Sequence, residues 1–101
     1  MPLALVLRIQ HRDGYACVYC GDAATRLHVD HVRPCAHFPA TIPDPAVNAP
    51  INLVTACCTC NGSKGMQDLP CFATMLRRRG VPAAEVRAMI SRARRAVRRP
   101  L

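Results

Sequence analysis

Cys17-Val18-Tyr19-Cys20-Gly21 and Cys57-Cys58-Thr59-Cys60-Asn61-Gly62-Ser63-Lys64 are the two stretches on which the fold turns. In each, two cysteines stand two residues apart, and a tight turn of that spacing aims both sulfurs at one point. Two such pairs supply the four thiolates of a tetrahedral zinc site, whereas free buried thiols or a redox CxxC would explain only one pair. Residues 21 to 56 separate the knuckles, more than the roughly 15–20 of a simple zinc module, so a structured insert is expected between them. Cys58 adjoins Cys57 and is a possible substitute ligand, but Cys57 repeats the spacing of the first knuckle. Cys35, Cys71 and His37 have no partner at ligand spacing and read as ordinary buried or loop residues.

A metal staple suits the rest of the composition. The chain has 101 residues, 4% of them aromatic and none of them tryptophan, which makes one small domain with a marginal core. It is too small to enclose a large substrate. Seven cysteines would leave a disulfide framework with one thiol over. Arg8 interrupts the apolar opening Met1 to Leu7, so no secretory signal is expected, and no run approaches the roughly 18 apolar residues of a membrane span. The expectation is an intracellular, reducing setting, where clustered cysteines are more often metal ligands than disulfides.

Between and around the knuckles the pattern predicts a helix over Leu3 to Arg12, with Leu5 and Ile9 on one face, and a turn at Asp13-Gly14. Arg26 to Val32 alternates as a strand. Pro34, Pro39, Pro43, Pro45 and Pro50 make Arg33 to Pro50 a long loop. Ile51 to Ala56 is a second short strand or the opening turn of a helix. A helix is expected after the second knuckle, another over about Leu69 to Arg79 closed by Gly80, and a last one from Pro82 to about Arg99.

The insert carries Asp30-His31, and Asn61 directly follows the last knuckle cysteine. Aspartate and asparagine offer the hard oxygen ligands that suit Mg²⁺ or similar ions, and a histidine beside them can take a proton from water near neutral pH. These are the parts of a one-metal phosphodiesterase. In a regular strand Asp30 and His31 face opposite sides, so they share a site only if the strand ends or twists there, as Arg33-Pro34 would make it do.

The ordered set Arg12-Asp13-Gly14-Tyr15, Cys17 to Gly21, Val29-Asp30-His31-Val32-Arg33-Pro34, Asn52-Leu53-Val54 and Cys57 to Lys64 resembles the HNH endonucleases (His-Me finger or ββα-metal nucleases) over roughly residues 8 to 65. The last catalytic position is Asn61, as in an H-N-N variant. The resemblance implies an α+β fold, a small zinc-stapled ββα-metal domain with flanking helices. It implies a metal-dependent DNA endonuclease, hydrolysing phosphodiester bonds by nicking or double-strand cleavage and leaving 5′-phosphate and 3′-hydroxyl ends. The same resemblance adds a cytoplasmic, bacterial or phage-encoded setting. The catalytic residues would be His31, Asn52 and Asn61. His31 would activate water, and Asp30 and Asn61 would hold a catalytic Mg²⁺ or Mn²⁺ against the phosphate and the departing oxygen. Asn52 would orient the His31 segment, Lys64 would contact the DNA backbone, and Cys17, Cys20, Cys57 and Cys60 would bind a separate structural zinc. A proline-rich loop replaces the Gly-Gly turn of many members, and Asn48 competes with Asn52 for the middle position. His28 and His37 are expected to be structural.

The net charge of +8 is confined to one end: up to Leu76 acids and bases cancel, and beyond it nine arginines face Glu85 alone. Residues 1–76 are therefore expected to form the nuclease domain, and 77–101 a basic helical extension packed on it. On a helical wheel Val86, Ile90, Ala93 and Val97 form an apolar stripe. Arg92, Arg95 and Arg99 lie opposite, with Arg87, Arg94 and Arg98 along one flank. With Arg77, Arg78 and Arg79, this face is expected to bind DNA phosphates without sequence dependence. No membrane contact is expected, and the chain would be a monomer or weak dimer. A non-catalytic zinc-organised DNA-binding module is the alternative; a thiol redox protein is a weaker one that zinc content near one per chain would exclude.

Overall fold

The helix predicted over Leu3–Arg12 forms over those residues (α1) in a computed structural model that describes residues 1–23, 26–39 and 45–101. A clamp closes the end of α1. Arg12 grips its neighbour Asp13 through Nε–Oδ1 (2.8 Å) and Nη2–Oδ2 (3.2 Å). It also donates to the carbonyls of Pro50 (3.0 Å) and Leu53. Asp13 Oδ2 accepts from the Thr55 N–H at 2.7 Å. The Arg-Asp pair thus ties α1 to the chain entering the second strand, and with side chains 1% and 0% exposed, removing either partner would leave the other charge buried and uncompensated. Gly14, at φ 70°, then turns the chain out of the helix, a conformation open to glycine at little cost.

Leu27–His31 (β1) and Leu53–Cys57 (β2) pair antiparallel, with Leu27 opposite Cys57 and His31 opposite Leu53. The ambiguous segment 51–56 is thus divided: residues 51 and 52 belong to a 3₁₀ turn, Pro50–Asn52, and the strand begins at Leu53. β2 is buried along its whole length. Val54, Ala56 and Cys57 join the main core, while Leu53 and Thr55 are buried outside it, on the strand against which α1 packs. Two further 3₁₀ turns, Cys35–His37 and Pro45–Asn48, bracket the proline-rich loop; its part at 40–44, with Pro43 and Asp44, lies outside the described residues.

β2 runs straight into Cys58–Lys64 (α2), completing the ββα order. Leu69–Arg78 (α3) starts at Asp68, whose carboxylate accepts from the Cys71 N–H at 2.9 Å. It ends as expected at Gly80 (φ 93°), with Val81 N–H bonding back to the Leu76 carbonyl at 3.0 Å. The division expected between residues 76 and 77 falls inside α3.

Ala83–Ala96 form α4, with Pro82 at its N-cap. Its buried positions are Val86, Met89, Ala93 and Ala96, while Ile90 and Val97 are only partly covered. The buried face is thus rotated from the expected stripe toward Met89 and Ala96. One core joins Val18 and Tyr19 of the first knuckle, Val54 and Ala56, Leu69 and Phe72 of α3, and the buried face of α4. No helix among the described residues is long and apolar enough to cross a membrane.

Candidate metal centre and candidate active site

The two knuckles meet. One sulfur from each of Cys17, Cys20, Cys57 and Cys60 lies within 4.8 Å of the others, and Cys20 Sγ stands 3.7 Å from Cys57 Sγ. Tetrahedral zinc with Zn–S bonds near 2.3 Å requires sulfurs roughly 3.8 Å apart, so the cage fits the ion. The knuckles share one construction: the Cys20 N–H points at Cys17 Sγ (3.5 Å) and the Cys60 N–H at Cys57 Sγ (3.3 Å). Cys58 is exposed and outside the cluster, so the spacing argument for Cys57 holds.

Burial pushes Cys60 up, with the sulfurs of Cys17, Cys57 and Cys20 adding to it; burial also pushes Cys20 up, against the lowering effect of a hydrogen bond from the Asp22 backbone. At Cys57 burial acts the same way, but the Cys60 N–H and the surrounding thiols outweigh it and hold Cys57 below its ordinary range. Cys17, Cys20, Cys57 and Cys60 would hold zinc as thiolates, and its binding energy would then be folding energy.

Next to this cage lies a depression of about 350 Å³ lined by Asp30, His31, Asn61, Pro34 and Cys35 among others. Asp30 and His31 reach it together because β1 ends at His31 and the chain bends away at once. Asp30 is buried (5% exposed), and its Oδ2 accepts from the Tyr19 hydroxyl at 2.6 Å. The Lys64 ammonium lies 3.1 Å from the same oxygen and also donates to the His31 carbonyl at 2.9 Å. Burial, then the Asp30 carboxylate, pushes the Tyr19 phenol far up, so it remains a hydrogen-bond donor.

Lys64 does not take the place expected for it. It is 0% exposed, with its ammonium spent on Asp30 and the His31 carbonyl, so it makes no surface contact with a nucleic-acid backbone. Three residues after Asn61 on α2, it anchors the helix to β1 while Asn61 lines the depression.

Asn52 and Asn48, the two candidates for the middle position, have different partners. Buried Asn52 accepts from the Arg33 N–H (2.8 Å) and donates to the carbonyls of Arg33 (3.1 Å) and Val47 (2.9 Å). It therefore stitches together the two sides of the loop that leaves His31. Asn48 touches the imidazole itself, with Oδ1 2.8 Å from His31 Nε2. His28 and His37 do not line the depression, and Cys35, which sequence alone left as an ordinary loop residue, does.

Arg92 is also not where it was expected. The rotation of α4 puts it at the edge of the buried face, where Nε donates to the Val18 carbonyl (3.0 Å) and Nη2 to the Tyr19 carbonyl. It caps the first knuckle. The outward face is instead formed by Arg87, Arg94, Arg95 and Arg98 around Ser91. Arg77 spends one N–H on the Val81 carbonyl (2.7 Å).

Sequence reasoning missed Tyr19 and the inward turn of Arg92. The first had a signal: a tyrosine inside a knuckle is buried by its neighbours, and a buried hydroxyl needs a partner. The second depended on the packing phase of α4, which Met89 set and a simple wheel did not.

A search of solved structures finds the Type II-C Cas9 enzyme from Actinomyces naeslundii at 21% identity and a TM-score of 0.53. The match covers 96% of this chain and 11% of that one, so the likeness is one of fold and spans a small part of the larger enzyme. A comparison with curated proteins finds no match. The family model for the HNH endonuclease matches residues 17–67, just over half of the chain, from the first zinc-knuckle cysteine to the end of the ββα unit. With both knuckles, the β1–β2 pair and α2 inside that span, the chain belongs to the HNH endonuclease family.

Proposed function

We propose that this protein is a divalent-metal-dependent DNA endonuclease in which His31 is the general base and Asp30 and Asn61 are the ligands of the catalytic ion. The observation that carries the proposal is the shared depression: a carboxylate, an amide and an imidazole from β1 and α2 converge on one surface beside the four-cysteine cage. Asp30 and Asn61 are the hard oxygen donors that Mg²⁺ or Mn²⁺ takes. When bound, such an ion neutralises charge developing on the scissile phosphate and the departing oxygen.

The chain's own groups do the rest. Asn48 Oδ1 lies 2.8 Å from His31 Nε2, and an N–H donated there would leave Nδ1 as the nitrogen with the free lone pair. That nitrogen takes a proton from water as its oxygen attacks phosphorus in line with the departing 3′-oxygen. The P–O3′ bond breaks, the 3′-oxygen takes a proton from solvent, and a 5′-phosphate remains. Asn52 fixes the backbone that carries His31, so that the imidazole is already oriented when substrate arrives. The Arg87, Arg94, Arg95 and Arg98 face of α4 supplies sequence-independent phosphate contacts, Arg95 being shared with the face expected from sequence. A 5′-labelled and a 3′-labelled duplex, cut in Mn²⁺ and resolved beside chemical ladders, test the proposal. The expected products are 5′-phosphate and 3′-hydroxyl ends, absent in Asp30→Asn and Asn61→Ala. Opposite end chemistry or unchanged cleavage in both variants contradicts it.

A further inference from the structure

We infer that Tyr19 is a positioning residue for Asp30, linking the zinc knuckle to the catalytic depression and leaving Asp30 to meet its ion through Oδ1. The inference rests on the proposed role of Asp30 as a ligand of the catalytic ion.

Tyr19 sits between two of the zinc-cage cysteines, 3% exposed. Its carbonyl is held by Arg92, and its ring packs edge-on against Phe72 with centroids 5.6 Å apart. A phenylalanine would fill the same space. The hydroxyl is therefore the feature that packing leaves unexplained, and its one described contact is Asp30 Oδ2 at 2.6 Å. Lys64 approaches the same oxygen from α2 at 3.1 Å. Two donors on one oxygen stop the carboxylate from turning about its Cβ–Cγ bond. Its described contacts all fall on Oδ2, while the residue lines the depression shared with His31 and Asn61.

Partners that orient a metal-ligating carboxylate typically matter by roughly 10- to 100-fold in metal affinity. Here one of them is built into the zinc knuckle, and Asn61 directly follows the other knuckle's last cysteine. The zinc would therefore set the geometry of both ion ligands as well as stabilising the fold.

The test uses the zinc-loaded full chain and Mn²⁺ titration followed by electron paramagnetic resonance, with zinc content measured by native mass spectrometry. Tyr19→Phe is expected to keep one zinc per chain and to bind Mn²⁺ about 10-fold more weakly. The Mn²⁺ concentration for half-maximal cleavage should rise in parallel, with the rate at saturating Mn²⁺ close to that of the parent. Phe72→Leu, which loosens the ring without touching Asp30, should bind Mn²⁺ as the parent does. Three results overturn the inference: unchanged Mn²⁺ affinity in Tyr19→Phe, an equal loss in Phe72→Leu, or loss of zinc from Tyr19→Phe, since the hydroxyl would then serve the knuckle. Equal Mn²⁺ binding by the parent and Asp30→Ala would instead remove the ligand assignment beneath it.

Discussion

Replacing Lys64 with methionine keeps most of the stem volume and removes the ammonium. In the structure that ammonium is 0% exposed and its partner Asp30 5%, so the substitution leaves a buried carboxylate with the Tyr19 hydroxyl as its one described donor. Breaking one side of a buried ion pair costs about 3–5 kcal/mol, and the surviving hydroxyl places this case near the lower end, about 3 kcal/mol. For a chain of this length each kcal/mol moves Tm by about 4 °C or more, which gives a fall of about 12 °C or more. Calorimetry at neutral pH, with zinc in fixed excess and no other divalent ion, measures it directly, since free ligand concentration also shifts Tm. Adding Asp30→Asn to Lys64→Met should recover part of the loss, because the uncompensated charge is gone; the double-mutant cycle then reports the coupling. The reasoning is refuted if Lys64→Met melts within a degree or two of the parent while the salt slope of DNA binding falls by about one. That pattern describes a surface lysine on a phosphate.

Arg92→Met should destabilise by about 2–3 kcal/mol, because two knuckle carbonyls lose a charged donor, yet leave the salt slope of DNA binding unchanged. A reduced slope without lost stability would return Arg92 to the DNA face. Arg94→Gln with Arg98→Gln should do the reverse, lowering the slope by about 0.9 for each phosphate contact removed while Tm stays put. Asp68 is held below the ordinary carboxylate range by the Cys71 N–H, so its capping contribution is present above its unfolded pKa and lost as pH falls through the folded one. The Tm gap between the parent and Asp68→Ala should therefore be open at about pH 6 and close toward about pH 3; a gap independent of pH would contradict the charged cap.

Much of this architecture is legible locally. The cysteine spacing located the cage because a CxxC turn is a short-range object, and α1 and the Asp68 and Gly80 ends of α3 depend on neighbouring residues alone. Residues 51–56 stayed ambiguous because the strand character of those from Leu53 onward comes from pairing with β1, a contact no local pattern encodes. Lys64 was misplaced for the same reason. Its charge reads as a surface feature until the fold brings Asp30 and the His31 carbonyl to it. On α4 the wheel found an amphipathic helix and two of its buried positions, Val86 and Ala93, but Met89 and Ala96 take the places expected of Ile90 and Val97, and that offset decided whether Arg92 faced outward. The Asp-His question was settled by where β1 stops, which sequence could name through Arg33-Pro34 but not fix.

The central claim is that His31 drives metal-dependent DNA hydrolysis beside an intact zinc cage. It is tested most directly by relaxation of supercoiled plasmid with zinc-loaded protein in Mg²⁺ or Mn²⁺, in chelator, and with His31→Ala in parallel. The account predicts metal-dependent cleavage, slowed by about 10²-fold or more in His31→Ala, as loss of a general base entails, with plasmid binding retained. Tight binding without cleavage in any metal, or equal cleavage by His31→Ala, would contradict it.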